Sequence, residues 1–129
     1  MKDFKEWGEK KTSVEKIEHR PFFHEKEIWV CHLGLNIGFE QDGKGEDFVR
    51  PIVIIKKFNN QIFWGIPLTK SVKRESPYYF NFSFTPEILS SAILSQIKLT
   101  DSKRLGRMIG RISQKDFSEL TKKLKDLIP

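Results

Sequence analysis

The chain has 129 residues, 38% of them hydrophobic and 31% charged, which predicts a single globular domain with a modest core. No apolar run approaches the roughly 20 residues that span a bilayer, the N-terminal MKDFKEWGEKK has no apolar signal-peptide region, and a lone Cys31 excludes an intramolecular disulfide, so a cytoplasmic protein is expected. The net charge of +6 permits a polyanionic partner without requiring one.

Residues 2 to 11 read as a short helix, with Phe4 and Trp7 on one stripe, and a polar connector runs through His19, Arg20 and Pro21. EIWVCHLG (27–34) reads as the first strand, ending at Gly34. Residues 38 to 51, GFEQDGKGEDFVRP, form an acidic, glycine-rich loop. RPIVIIKKF (50–58) has strand length and is apolar throughout its centre, which predicts burial on both faces. Asn59-Asn60 predicts a two-residue turn, returning as a hairpin through QIFWGIPLT (61–69), in which Gly65 marks a bulge or bend. A cationic loop, TKSVKRESP, precedes the half-buried strand YYFNFSF (78–84). Thr85-Pro86-Glu87 fits the start of a helical turn. SAILSQIKL (91–99) and RMIGRI (107–112) read as further strands. Ser113 and Asp116 cap a last helix whose Phe117, Leu120, Leu124 and Leu127 fall on one face. Five or six short, bent strands with flanking helices predict a mainly β fold: a small barrel with a C-terminal helix, residues 27–129, behind an N-terminal helical extension, residues 1–26.

Charge is unevenly spread. Glu40, Asp42, Glu46 and Asp47 face only Lys44 in the first loop, whereas Arg50, Lys56, Lys57, Lys70, Lys73 and Arg74 follow with no acid among them. Such runs are either solvated faces or a groove for a polyanion. Metal sites need clustered ligands, and none has the spacing; no HExxH, CxxC or phosphate-binding glycine loop occurs. Cys31 and His32 are adjacent on a strand and point to opposite faces, which argues against a nucleophile pair. What remains is a set of polar residues at strand ends. Arg50, fixed by Pro51, opens the most apolar strand, and Thr69 ends its hairpin partner. A guanidinium fork with one hydroxyl makes a grip for a single phosphate.

These residues carry a family resemblance. IWVCHLGLNIGFEQ, then RPIVIIKKFN, IPLTKS and SSAILSQIKLTDSKRL occur in the order and near the spacing of the MazF/PemK toxin endoribonucleases of type II toxin–antitoxin systems, over residues 27 to 127. The Gly38-Phe39-Glu40-Gln41, Arg50-Pro51 and Pro67-Leu68-Thr69 elements are the most specific parts. The resemblance implies an SH3-like barrel of the CcdB/MazF type, a homodimer, a cognate antitoxin protein as partner, and cleavage of single-stranded RNA without metal or other cofactor. It implies that Arg50 stabilises the phosphate in the transition state and that Thr69 orients it. Glu40 is then the candidate general base, or else an anchor for the end of the first strand. Gln41, Lys70, Lys73, Arg74, Gln96 and Arg104 are the candidate RNA-binding residues, with Gln96 and Arg104 equally suited to structural or interface roles. Two departures stand out: Phe39 where some members have histidine, and Ser95 where many have a carboxylate. They leave open a non-catalytic RNA- or protein-binding module on the same barrel, and a gyrase-directed toxin like CcdB as a third alternative. The first loop, longer than in the shorter members, fits a gate or specificity element better than a phosphate grip.

Overall fold

The computed structural model describes residues 20–32, 49–71 and 74–129. Seven strands form one curled antiparallel sheet: β1 (Glu27–His32), β2 (Val49–Lys57), β3 (Ile62–Thr69), β4 (Tyr79–Thr85), β5 (Ile88–Ile93), β6 (Lys98–Asp101) and β7 (Leu105–Arg111). The strand order is β4-β5-β3-β2-β1-β7, and β6 also pairs with β3. Helix α1 (Gln114–Lys125) closes the chain. The expected mainly β fold with a C-terminal helix is therefore observed, the sheet curling into a half-barrel, and the predicted helix over residues 2–11 lies outside the described residues.

The curl follows from where the apolar residues fall. β2 buries four successive residues, Ile52 to Ile55, so both of its faces are covered. Val53 and Ile55 point into one core with Ile28, Ile66, Leu68 and Leu94. Ile52 and Ile54 point into a second core with Phe23, Trp29, Cys31, Phe63 and Leu105. The register shift between Ile54 and Lys56 sits opposite Gly65 and Trp64, where Gly65 was expected to mark a bulge. A Cβ at Gly65 would stand 2.9 Å from the Phe63 ring and 3.0 Å from Ile52 Cδ1, so this close approach needs glycine.

The segment before β1 is part of the second core. Phe23 is fully buried and packs on Phe63 with ring centroids 5.2 Å apart. Arg20 Nη1 pairs with Asp101 Oδ1 at 2.7 Å and donates to Ser102 Oγ at 3.1 Å. Lys26 adopts φ 77°, held there because its amide donates to Ile54 O and its carbonyl accepts from Ile112 N. Glu27, nearly buried, collects the Trp29 indole N–H at 3.0 Å and the His24 amide at 2.8 Å. Arg111, its partner across to β7, lies 3.5 Å away.

Three local expectations need correction. Thr85-Pro86-Glu87 starts no helix: Thr85 pairs with Ile88, and Pro86-Glu87 form the tight turn of the β4–β5 hairpin. Proline at the first corner of a turn suits a hairpin as well as a helix start, and the strands on either side decide. The single strand expected over 91–99 is two, β5 and β6, separated by a 3-10 turn at Leu94–Gln96. The turn lets the chain leave the Thr69 end of β3 and rejoin β3 at Gly65. The β2–β3 turn holds three residues rather than two, since Phe58 N donates to Ile62 O and Asn59 Oδ1 accepts from Gln61 N and Ile62 N. The last helix is as expected: Ser113 Oγ caps it by accepting from Asp116 N, and Leu120 is fully buried in the first core.

Candidate functional site

Arg50 and Thr69 are brought together by the β2–β3 register. Ile52 pairs with Pro67 as the last β2–β3 pair, and Arg50 and Thr69 lie two residues beyond it at neighbouring strand ends, both lining one cavity. Arg50 also pairs with Cys31 on β1, and Thr69 with Ser91 on β5, which in turn pairs with Asn81 on β4. Directly opposed residues of a sheet share a face, so Cys31 and Arg50 lie in one row across β1 and β2, and Thr69, Ser91 and Asn81 in another across β3, β5 and β4. The Ser91 hydroxyl donates to Asn81 Oδ1. Arg50 Nη1 reaches Leu68 O at 3.4 Å, which lays the guanidinium along the end of β3. Thr69 Oγ1 accepts from Ser71 N at 3.3 Å, turning the chain away beyond the strand.

A cavity of about 450 Å³ opens at this strand end. Its polar members are Arg50, Thr69, Lys70, Ser71 and Ser90; its apolar wall comes from Leu68, Phe84, Ile88 and Ile109, with Val49 and Pro51. Leu68 and Ser90 alternate with Thr69 and Ser91, so they belong to the other face of their strands. The cavity thus wraps the end of the sheet, combining a cation and hydroxyls from one face with the mouth of the first core from the other.

The remaining sequence candidates are distributed as follows. Lys70 is exposed and lines the cavity. Arg74 is exposed and does not line it. Gln96 sits half-buried on the 3-10 turn, also outside the cavity. Arg104 Nη1 donates to His32 O at 3.1 Å, bracing the end of β1 beside the residue that pairs with Cys31. Glu40, Gln41 and Lys73 lie outside the described residues. Cys31 is fully buried and His32 exposed, the opposite orientations expected of neighbours on a strand. Burial pushes the Cys31 thiol up to about 11, although the charges of Arg104 and Lys98 pull the other way, so it is a poor nucleophile. Sequence reasoning missed Ser90, Phe84 and Ile109. The signal for Ser90 was the Ser-Ser pair inside the apolar run ILSSAI, both of whose serines are buried.

Residues 24–128 match the family described as PemK-like, MazF-like toxin of type II toxin-antitoxin system. The chain belongs to this family. No curated protein matches the sequence. Among solved structures, the chain resembles MazF from Deinococcus radiodurans (form I), with a TM-score of 0.67 and 16% identity, covering 85% of this chain and 97% of that one. It also resembles the Mycobacterium tuberculosis toxin MazF-mt6, with a TM-score of 0.59 and 16% identity over 78% and 93% of the two chains. A third is an endoribonuclease in complex with its cognate antitoxin from a mycobacterial species, with a TM-score of 0.63 and 15% identity over 84% and 97%. At these identities the structures establish the MazF-type fold, and the family match makes this a toxin of the type II toxin–antitoxin class. Within that fold, Arg50 and Thr69 occupy the ends of neighbouring strands at the mouth of the core.

Proposed function

We propose that this toxin is an endoribonuclease that cleaves single-stranded RNA by attack of a ribose 2′-OH on the adjacent phosphate, with no metal ion in the mechanism. The observation that carries the reading is that Arg50 and Thr69, at the ends of neighbouring strands, line one cavity together with Lys70. Such cleavage needs donors for the charge that builds on the phosphoryl oxygens, a base for the 2′-OH, and an acid for the leaving 5′-oxygen. Arg50 supplies a planar fork of donors to the non-bridging oxygens, and a role in protonating the leaving oxygen is secondary to that. Thr69 orients the phosphate through its hydroxyl. Losing one such donor costs about 2.7–4 kcal/mol in the barrier, or roughly a hundredfold to a thousandfold in rate. We assign the base to Glu40, and RNA contacts to Gln41, Lys73, Arg74, Gln96 and Arg104 in addition to Lys70.

A homodimer that carries RNA in a groove across its subunits, working in the cytoplasm and held in check by a cognate antitoxin, completes the reading. One of the structural relatives is an endoribonuclease bound to its antitoxin, which supports that partner class. No helix among the described residues is long and apolar enough to cross a membrane.

The test is a pair of short RNAs that differ only in a 2′-deoxy sugar before the mapped cut. The ribose version is cut in the presence of EDTA and the deoxy version survives. Cleavage of both would refute attack by the 2′-OH. Tight binding with neither cut would favour the non-catalytic binder that Phe39 and Ser95 raise.

A further inference from the structure

One exposed apolar surface lies away from the cavity. Trp64 and Leu99 pair across β3 and β6, and they are 44% and 56% exposed. Phe58 packs edge-on against Trp64 with ring centroids 5.1 Å apart, and is itself 44% exposed. Residues two apart on a strand share a face, so half-buried Ile62 and its partner Asp101 continue this surface toward the β2–β3 turn. Large apolar side chains exposed singly need no explanation, but three in contact make a patch that does. The patch stands at the turn end of the β2–β3 hairpin, and Arg50 and Thr69 stand at the other. Along β3, Trp64 and Thr69 are about 17 Å apart.

The chain enters the described structure at the rim of this patch. Arg20, the first described residue, reaches Asp101 Oδ1 at 2.7 Å and Gln61 O at 3.4 Å, and Gln61 immediately precedes Ile62. Asp101 lies two residues from Leu99, about 7 Å along β6. Residues 1–19 precede Arg20, and the family match begins only at residue 24, so this segment lies outside the shared barrel. Its Phe4 and Trp7 have the spacing of one apolar stripe, with Asp3, Glu6 and Glu9 at the same spacing alongside. Between Trp7 and Arg20 even a helix would rise about 20 Å, which spans the patch from the rim.

We propose that the segment preceding Arg20 folds back onto this patch and seats Phe4 and Trp7 against Phe58, Trp64 and Leu99. Tethering favours this occupant over a separate chain, because a short linker holds it at an effective concentration in the millimolar range. Charge favours it as well. Exposed Lys56 pairs with Trp64 across β2 and β3 and so shares its face, while Asp101, the acid on that face, is already bound by Arg20. The rim is therefore cationic and complements Asp3, Glu6 and Glu9. The Arg20–Asp101 pair acts as the fastening that directs the segment across the patch rather than away from it. The docking does not depend on the ribonuclease reading, since the patch and the Arg50–Thr69 cavity share no residue.

Two measurements on the full chain test it. In the first, trypsin cleavage after Lys10 or Lys11, followed by mass spectrometry, reads how often the segment is undocked. Trp7→Ser and Leu99→Glu, one on each side of the contact, are each expected to raise the cleavage rate about tenfold. Together they should raise it no further, because either one already frees the segment. Equal rates in the parent and both variants, or increases that multiply in the double variant, would overturn the contact. In the second, Gly8→Cys carries a nitroxide while buried Cys31 stays unlabelled, and NMR follows the Trp64 indole and Leu99 methyl signals. Both are expected to broaden while the Ile88 methyls, at the cavity, do not. Trp64 and Leu99 signals left sharp would overturn the docking and leave the patch to a separate partner. The broadening should vanish when nitroxide and isotope are carried on different chains. Broadening that persists in that mixture would assign the patch to a second copy and overturn docking within the chain.

Discussion

Phe23→Ala asks whether the segment before β1 belongs to the fold or merely leads into it. The ring is fully buried among Trp29, Cys31, Ile52, Ile54, Phe63 and Leu105, so its loss leaves a cavity under the strands that carry Arg50. Buried Phe→Ala changes cost about 3–5 kcal/mol. Part of that is the Phe63 pair, with centroids 5.2 Å apart, worth about 0.5–1.5 kcal/mol. Another part is the Lys57 ammonium 4.6 Å from the ring centroid, worth about 0.5–1 kcal/mol near the surface. Lys57 Nζ also donates to Phe23 O at 2.8 Å, a contact that alanine keeps. A net loss of about 4 kcal/mol is a large share of the roughly 5–15 kcal/mol that holds a domain. At about 3–5 °C per kcal/mol for a domain of this size, the melting temperature should fall by about 10–20 °C. Urea unfolding followed by tryptophan fluorescence gives the free energy directly, with an unchanged slope if the same structure unfolds. A loss below about 1 kcal/mol would refute the placement of Phe23 in the core.

Gly110→Ala should cost about 1–3 kcal/mol through the clash with the Phe84 ring, and Phe84→Ala in the same chain should remove most of that penalty; additive losses in urea unfolding would contradict it. For Glu27, burial alone would raise the carboxyl, but hydrogen bonds from Trp29, the His24 amide and the His24 ring hold it below the usual range. Its folded value being lowered, the stabilisation is present above the unfolded carboxylate value near 4.5 and is lost as pH falls through the folded value. Glu27→Gln should therefore flatten part of the acid limb of a stability-versus-pH curve, and an unaltered acid limb would count against the network. Cys31, pushed up to about 11 by burial, should resist thiol reagents at pH 8 in the native protein and react fully in urea; rapid native labelling would show the strand open.

The hairpin that carries Arg50 and Thr69 was legible because two properties coincide in nine residues. Their apolar content fixes a doubly buried strand, and Pro51 lies within two residues of its start at Val49. Phe23 was not legible as core: two aromatic residues between charged neighbours carry no periodicity, and its burial depends on Phe63, forty residues away. The run 91–99 looked continuous because Ala92, Ile93, Leu94, Ile97 and Leu99 are apolar, yet they serve two strands with different neighbours. Leu94 is tied by its amide to Tyr78 O, while Leu99 pairs with Trp64. A pattern of hydrophobicity registers burial and not a change of pairing partner. For the same reason Ser90 escaped notice, since it lines a cavity to which β2, β3, β4, β5 and β7 all contribute.

The central claim is that Arg50 and Thr69 grip the phosphate that is cut. Its most direct test is to incubate purified protein with a long single-stranded RNA in EDTA, map the ends, and repeat with Arg50→Ala. Discrete cuts that leave 2′,3′-cyclic phosphates, slowed at least a hundredfold in Arg50→Ala while the variant melts with the parent, are the predicted result. Cutting by Arg50→Ala at the parent's rate, or RNA left intact by the folded parent free of antitoxin, would contradict the account.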